Sequence, residues 1–149
     1  MRLMIVVMFL GFVACSHAIP KPLHITNQEA PTYLLGNIGS AQLFVNGDQG
    51  VDQAAMSYLT LLPGAAIAEH IHAESDEMVM VLSGTMEMSM NGKTIQVGPK
   101  EVVFIPKTTP HAAKVVSDEK VEAVQVYLSS GPEQRFKKGK LQVLGASSE

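Results

Sequence analysis

Short apolar segments separated by turn-forming residues run through most of the chain, and this pattern limits the folds that it can adopt. Between residues 41 and 128, turns containing glycine, proline or asparagine recur roughly every 8 to 12 residues. Asn91-Gly92 is the strongest of these signals, because both residues tolerate the positive φ angles of a type I′ hairpin. No segment shows the 3.6-residue periodicity of an amphipathic helix. The sequence therefore predicts an all-β protein built from many antiparallel strands.

The candidate strands are short, and their apolar residues either alternate with polar ones or run without a break. They cover residues 41–45, 55–62, 68–72, 77–82, 85–90, 93–97, 101–105, 111–116 and 121–128. So many short strands favour a jelly-roll β-barrel, in which two sheets fold against each other and few strand edges stay exposed.

A single domain is expected. The chain has 149 residues and a hydrophobic content of 46%, which suffices to close one core. We expect the β-barrel to occupy residues 41–130. Residues 19–40 are predicted to form an arm or linker, and residues 131–149 are predicted to form a C-terminal tail with solvated lysines.

The first 18 residues have the features of a secretory signal peptide. Arg2 precedes an apolar run of about 12 residues, whereas a membrane-spanning helix needs about 20. Two processing sites compete: residues 16–18 suit a signal peptidase, and residues 12–15 suit a bacterial lipobox that would place a lipid on Cys15. The protein is expected to be exported to the periplasm or the cell exterior, and to contact a membrane only through a lipid on Cys15.

Charge and cysteine content exclude other classes of protein. The net charge of -3 is small and the basic residues are scattered, so we expect no nucleic-acid partner. Cys15 is the only cysteine. The mature domain is therefore expected to have no disulfide and to depend on packing for its stability.

Two histidines one residue apart are the clearest functional signal. Residues i and i+2 of a strand face the same side about 6.5 Å apart, so His70 and His72 can aim at one point. If their strand pairs with the strand that follows it, Glu77 falls almost opposite them. His111, at the start of a later strand, offers a fourth donor. This set predicts a site for one divalent transition metal ion, and Mn, Fe, Ni, Cu and Zn are all compatible with it.

These spacings resemble the first of the two motifs of the cupin family. That motif consists of a glycine, an H-x-H pair, a glutamate and a second glycine at set intervals. Every interval is met here by Gly64, His70, His72, Glu77 and Gly84.

The second cupin motif is met in part. Gly98, Pro106 and His111 match it, whereas Thr108 replaces a glycine and Val115 replaces an asparagine. Neither replaced residue is a metal ligand in the family, so the departures bear on loop shape and subfamily. The resemblance covers roughly residues 43–128.

The resemblance implies that His70, His72, Glu77 and His111 bind the metal inside a β-barrel. It also implies a homodimer, which is usual in the family. The ligand set leaves coordination positions open for water or a small-molecule substrate.

Several functions fit this site. The chain could be a metal-dependent enzyme, such as a dioxygenase or other oxidoreductase acting on a small, rather apolar molecule, with Glu77 as ligand and catalytic proton acceptor. It could also hold a metal or a small ligand without turnover. Isomerases and lyases use the same barrel, and neither the fold nor the ligands choose among these activities.

Arginine content bears on the substrate. Arg2 lies in the predicted signal peptide, which leaves Arg135 as the other arginine of the chain. Sites for small dicarboxylates usually hold the ligand with a bidentate guanidinium. Such a substrate is therefore disfavoured unless Arg135 folds back over the mouth of the barrel.

Alternating methionines at positions 78, 80, 86, 88 and 90 are interpreted as adaptable core residues. The alternative is that Met86, Met88 and Met90 form an apolar pocket wall beside the metal. Four other polar residues on predicted strands receive no role from the sequence. They are Tyr58, Thr60, Gln125 and Tyr127.

Overall fold

The computed structural model describes residues 21–142, which form two facing β-sheets. The predicted signal peptide, Cys15 and the last seven residues of the predicted tail lie outside the described residues. Among residues 21–142, no helix is long and apolar enough to cross a membrane.

Strands dominate the described chain. They are β1 (Thr32–Leu34), β2 (Gly39–Val45), β3 (Ala55–Leu61), β4 (Ala66–His70), β5 (Asp76–Ser83), β6 (Met86–Met90), β7 (Lys93–Val97), β8 (Val102–Ile105), β9 (His111–Val115), β10 (Val121–Leu128) and β11 (Lys140–Gln142). Two 3-10 helices, Gly47–Gln49 and Pro132–Lys138, are the only helices in this part of the chain. We call the second one the C-terminal 3-10 helix.

The strands form an all-β jelly-roll arrangement of two sheets. The larger sheet has seven strands in the order β11-β1-β2-β3-β10-β5-β8, and the smaller has four in the order β4-β9-β6-β7. Every predicted strand is present, and β7 and β10 have the predicted bounds. The turn at Asn91-Gly92 joins β6 to β7, with φ angles of 49° and 74°. The predicted all-β class is confirmed.

The larger sheet extends beyond the boundaries at residues 41 and 130 that the sequence predicts. β1 pairs with β2 on one side and with β11 on the other, so parts of the predicted arm and tail belong to the sheet. Both strands have only three residues. Strands this short carry little signal of their own, because they gain partners only when distant parts of the chain meet.

The core lies between the sheets, and its character changes along the strands of the larger one. The inward-facing residues of β3, β5 and β10 are apolar towards one end of the sandwich, and a group of polar ones lies nearer the other end. The apolar residues are Leu59, Leu61, Val79, Val81, Val121 and Ala123, and the polar ones are Ser57, Glu77 and Gln125. The polar end is where the predicted metal ligands meet.

Two glycines at motif positions occupy left-handed turns. Gly64 follows β3 with a φ of 74°, and Gly84 follows β5 with a φ of 72°. An added Cβ at Gly64 meets nothing within 4 Å. At Gly84 the same atom would lie 2.6 Å from the carbonyl oxygen of Lys120 and 2.9 Å from a methyl carbon of Val121. The second glycine is therefore required both by its backbone angle and by its neighbours.

The two glycines provide a matched test of this distinction. Gly64→Ala is expected to lower the free energy of unfolding by about 1 kcal/mol, since only the left-handed backbone is penalised. Gly84→Ala is expected to lower it by about 2 to 4 kcal/mol, since the carbonyl of Lys120 must also move. Urea unfolding of both variants measures the difference. Equal losses would show that the close approach at Gly84 is unimportant.

Candidate metal centre

The four predicted ligands come together from both sheets. His70 ends β4 and His111 begins β9, and these two residues are directly paired across neighbouring strands. Glu77 lies on β5 in the opposite sheet. His72 lies in the connection between β4 and β5. The group thus bridges the two layers of the sandwich.

The predicted pairing of the histidine strand with the next strand is wrong. β4 pairs with β9, whereas β5 lies between β10 and β8 in the larger sheet. Glu77 therefore approaches the histidines across the core and not along a shared sheet. The connection between β4 and β5 passes from one sheet to the other, and a local pattern of apolar and polar residues does not reveal such a crossing.

The donor atoms converge closely. One ligand atom from each of the four residues lies within 4.8 Å of the others. The Oε2 atom of Glu77 is 3.0 Å from Nε2 of His72 and 3.2 Å from Nε2 of His111. The imidazole rings of His70 and His111 have centroids 4.2 Å apart. These separations suit donors that share an ion through bonds of about 2.0 to 2.2 Å.

Backbone carbonyls set the tautomers of two histidines. Nδ1 of His70 is 2.9 Å from the carbonyl oxygen of Ala68, and Nδ1 of His111 is 2.9 Å from that of Thr109. A carbonyl oxygen can only accept a hydrogen bond, so each Nδ1 carries the proton. In the neutral ring, Nε2 then holds a lone pair directed into the site, which is the arrangement found in metal-ligating histidines.

Three donor atoms lack a hydrogen-bond partner among the described residues. Nε2 of His70, Nε2 of His111 and Oε2 of Glu77 are all buried, and none has a contact with hydrogen-bond geometry. Buried polar atoms are almost always satisfied, so each exception calls for an explanation. Here the unsatisfied atoms are all acceptors that face one another. A shared cation satisfies them together, and the residues present therefore fit a divalent transition metal ion.

Electrostatics also favour a cation. Burial raises the pKa of the Glu77 carboxyl, but contacts with His111, His72 and Gln125 outweigh burial and hold its pKa at about 2. For His70, burial lowers the pKa below its ordinary value, and the positive charge of Arg135 lowers it further. Burial also opposes the charged form of His111, but the contact with Glu77 outweighs it and raises the pKa. At neutral pH the centre thus contains a carboxylate anion and a neutral His70.

The carboxylate of Glu77 is oriented by a buried relay that the sequence did not reveal. The hydroxyl of Ser57 donates to Oε1 of Gln125 at 3.0 Å, and the amide of Gln125 donates to Oε1 of Glu77 at 2.5 Å. Oε1 is thereby occupied, and Oε2 is left to face the histidines. A signal was present, because Ser57 and Gln125 are polar residues at inward positions of otherwise apolar strands.

Removal of the relay is expected to weaken metal binding. Gln125→Leu keeps the approximate volume but no longer holds the Glu77 carboxylate, and loss of such a supporting contact typically costs roughly 10- to 100-fold in metal affinity. Competition for Zn²⁺ with a chromophoric chelator measures the effect. The control is Gln96→Leu on the exposed face of β7, which should keep the original affinity. Equal affinities in the two variants would contradict a positioning role for Gln125.

Comparison with known proteins agrees with this geometry. A family model described as the cupin domain matches residues 57–127, which include all four candidate ligands. Quercetin 2,3-dioxygenase of Bacillus subtilis is 28% identical over 106 residues, a match that covers 69% of this chain and 31% of the dioxygenase. The chain spans 31% to 54% of the curated relatives that it matches.

Solved structures share the same fold. KdgF from Halomonas sp. has a TM-score of 0.67 at 14% identity, and the match covers 76% of this chain and 99% of KdgF. An RmlC-like cupin from Shewanella frigidimarina has a TM-score of 0.64 at 14% identity, covering 78% of this chain and 99% of that one. The chain therefore has the cupin-type jelly-roll fold, and its residues 57–127 match the cupin family model. At such low identities the structural matches show the fold alone.

The loop before the fourth ligand departs from the cupin motif at Thr108, and the structure shows what the replacement does. Thr108 adopts a φ of 64°, the left-handed conformation that glycine favours. Its backbone N–H donates to the carbonyl oxygen of His72 at 2.7 Å. The threonine therefore keeps the turn that ties the loop to the ligand-bearing connection, although a β-branched residue is strained there.

Relief of this strain should stabilise the protein. Thr108→Gly is expected to raise the free energy of unfolding by roughly 0.5 kcal/mol or more, because the gain in backbone energy exceeds the entropy that glycine adds to the unfolded chain. Thr109→Gly, the control at the next residue, should lower stability by roughly 0.5 to 1 kcal/mol. Thermal and urea unfolding give both values. Destabilisation by Thr108→Gly would show that the turn is not strained.

Two neighbouring spaces adjoin the candidate centre, and both are lined by Ile67, His70 and Arg135. The inner cavity has a volume of about 30 Å³, enough for a few atoms, and is bordered by His70, Glu77 and His111. Met86 and Met88 form part of its apolar wall, so these methionines are both core residues and the predicted pocket wall. The outer pocket, with a volume of about 390 Å³, opens beside His70.

Arg135 lies at the boundary of both spaces. It borders the inner cavity and the outer pocket, and its Nη1 atom is 3.4 Å from Nε2 of His72. The condition stated from the sequence is therefore met, since this arginine does fold back over the candidate site. The objection to small dicarboxylate substrates, which was the absence of a guanidinium at the site, no longer holds.

Tyr127 is a further buried group beside the site. Its ring meets that of His72 edge to face with centroids 5.0 Å apart, and its hydroxyl has no hydrogen-bond partner among residues 21–142. Burial raises the pKa of this phenol far above its ordinary value. Tyr127 therefore remains neutral and supports the position of the His72 ring.

Proposed function

We propose that this chain is an exported metal-dependent cupin enzyme of the oxidoreductase class, with dioxygenase-like chemistry on a small molecule. His70, His72, Glu77 and His111 hold one divalent transition metal ion. The observation that supports this most directly is the convergence of buried, unsatisfied acceptor atoms from both sheets. Such a cluster is costly to bury without a cation.

A bound redox-capable ion would supply Lewis acidity and open positions for oxygen or a substrate oxygen atom. The chain's own residues define what reaches it. The inner cavity of about 30 Å³ admits only a few atoms beside the ligands. The outer pocket of about 390 Å³ accommodates the body of a small molecule.

Glu77 is the proposed catalytic base as well as a ligand. Its Oε1 atom is held by Gln125, and its Oε2 atom faces the cavity side of the histidines. A carboxyl with a pKa near 2 is ionised at neutral pH, which is the protonation state that a base requires. The buried relay limits its movement and favours a single orientation.

The dioxygenase assignment draws support from the similarity to quercetin 2,3-dioxygenase. That similarity is 28% over 69% of this chain, and it covers 31% of the dioxygenase. Export and homodimer formation are further parts of the proposal. The mature N-terminus, determined by mass spectrometry, tests export, and the mass in solution tests the dimer.

Measurement of metal content is the first test of the proposal, and measurement of turnover is the second. The purified chain should hold about one equivalent of metal, and His72→Ala should lose most of it because the remaining donors no longer satisfy the ion. His24→Ala changes an exposed histidine away from the site and serves as the control. Elemental analysis gives both contents. Unchanged metal content in His72→Ala would overturn the assigned ligand set.

The Fe²⁺- or Mn²⁺-loaded protein should consume O₂ with at least one compound from a panel of small apolar molecules. Glu77→Gln should lower kcat strongly after correction for metal content, since the amide cannot accept the proton. Saturable binding of a compound from the panel, with no product formed from any of them, would favour the non-catalytic binding function. Product without O₂ consumption would favour an isomerase or lyase.

A further inference from the structure

Arg135 is the only arginine among residues 21–142, and it stands where the inner cavity meets the outer pocket. It is not carried by a strand of either sheet but by the C-terminal 3-10 helix. This helix lies outside the region matched by the family model, which ends at residue 127. The arginine is therefore a feature of this chain and not of the cupin motifs.

The C-terminal 3-10 helix is fixed to the body of the protein. Glu133 and Phe136, three residues apart, are both buried, as the three-residue turn of a 3-10 helix requires of one face. Oε2 of Glu133 accepts the backbone N–H of Gly131 at 2.6 Å, and Phe136 belongs to the hydrophobic core. These anchors determine where Arg135 projects.

The guanidinium itself lies near two aromatic rings. Its central carbon is 5.0 Å from the ring centroid of Phe136 and 5.9 Å from that of Tyr127, both within cation–π range. Such contacts stabilise the position of the charge but leave most of its N–H donors without an acceptor. The side chain is thus held in position, and it keeps N–H donors that can bind a ligand.

No carboxylate of the described chain pairs with Arg135. Within residues 21–142, its side chain has one hydrogen-bond contact, which is with Nε2 of His72 at 3.4 Å. That nitrogen is one of the proposed metal donors, so its lone pair is not available to the guanidinium when a metal is held. The arginine then needs another acceptor, and a partly buried, unpaired guanidinium is a strong binder of carboxylates.

The outer pocket shows what else such a ligand must contain. Five apolar residues form most of its wall: Leu35, Ile38, Ile67, Ala68 and Phe136. One carboxylate, that of Glu69, also borders it. The apolar wall favours a hydrocarbon body, and Glu69 disfavours a second negative charge on that body through like-charge repulsion.

We propose that Arg135 is a specificity-determining residue that binds the carboxylate of a monoanionic substrate with an apolar body. The body occupies the outer pocket, and the carboxylate lies at the boundary with the inner cavity, next to the candidate metal centre. Dicarboxylates of similar length are selected against by Glu69. This inference rests on the proposed function only in that metal binding engages His72 and releases Arg135.

Hexanoate, hexan-1-ol and adipate are probes that separate these effects, because they share six carbons and differ in charge. In calorimetric titrations into the Zn²⁺-loaded protein, hexanoate should bind with higher affinity than either adipate or hexan-1-ol. Arg135→Gln should weaken hexanoate binding about tenfold or more and leave hexan-1-ol unchanged, since only the charge-assisted contact is lost. Glu69→Gln should reduce the difference in affinity between adipate and hexanoate.

Matched variants keep the result specific to the position of the charge. Lys138→Gln removes an exposed positive charge from the same helix and should not alter hexanoate binding. Arg135→Lys keeps the charge without the planar fork and should give an intermediate loss. If Arg135→Gln lowers the melting temperature markedly, Arg135→Lys replaces it as the test variant, because it keeps a long cationic side chain.

The outcomes distinguish this inference from the proposed function. Hexanoate binding that is unaffected by Arg135→Gln but lost in His72→Ala would mean direct capture by the metal and would overturn the role of Arg135. Arginine-dependent binding without turnover of any compound would keep this inference and reject the enzyme. If the chain retains no Zn²⁺, the same titrations are performed on the metal-free protein, where absent or arginine-independent binding overturns the inference.

Discussion

The structure depends on one unfavourable interaction, the mutual approach of acceptor atoms in the buried space between the sheets. Oε2 of Glu77 lies within about 3 Å of two imidazole nitrogens, and three of the converging atoms have no hydrogen-bond partner. Without a proton or a cation, such an arrangement costs free energy because the acceptors repel one another and have lost their hydration. A shared ion converts the same geometry into a source of stability.

The fold supplies the means to hold these atoms together. Facing sheets place inward side chains from both layers within contact distance, so His70 and His111 from one sheet meet Glu77 from the other. Carbonyl groups direct two of the imidazoles, and the Ser57–Gln125 relay directs the carboxylate. Any change that separates the sheets at this end also separates the ligands. Metal binding and stability of the fold are therefore expected to be coupled.

The proposed selectivity for a substrate carboxylate does not come from the strands that carry the metal ligands, because the inner walls around the centre are largely apolar. The positive charge that faces both spaces comes from the C-terminal 3-10 helix, which packs through Glu133 and Phe136. Ligands and selectivity are thus carried by different parts of the chain. A change in the helix can alter the class of molecule that binds while the metal ligands stay in place.

The sequence alone determined nine of the eleven strands, most turns and the identity of the four converging residues, because strand periodicity, turn chemistry and motif spacing are all local. Only the tertiary structure decided which strands pair. β4 and β5, neighbours in sequence, belong to different sheets, and the three-residue strands β1 and β11 find each other from opposite ends of the described chain. The positions of Gln125 and Arg135 beside the site were decided in the same way. Their partners are 48 and 63 residues distant, and contacts of that range arise from packing, which no local pattern encodes.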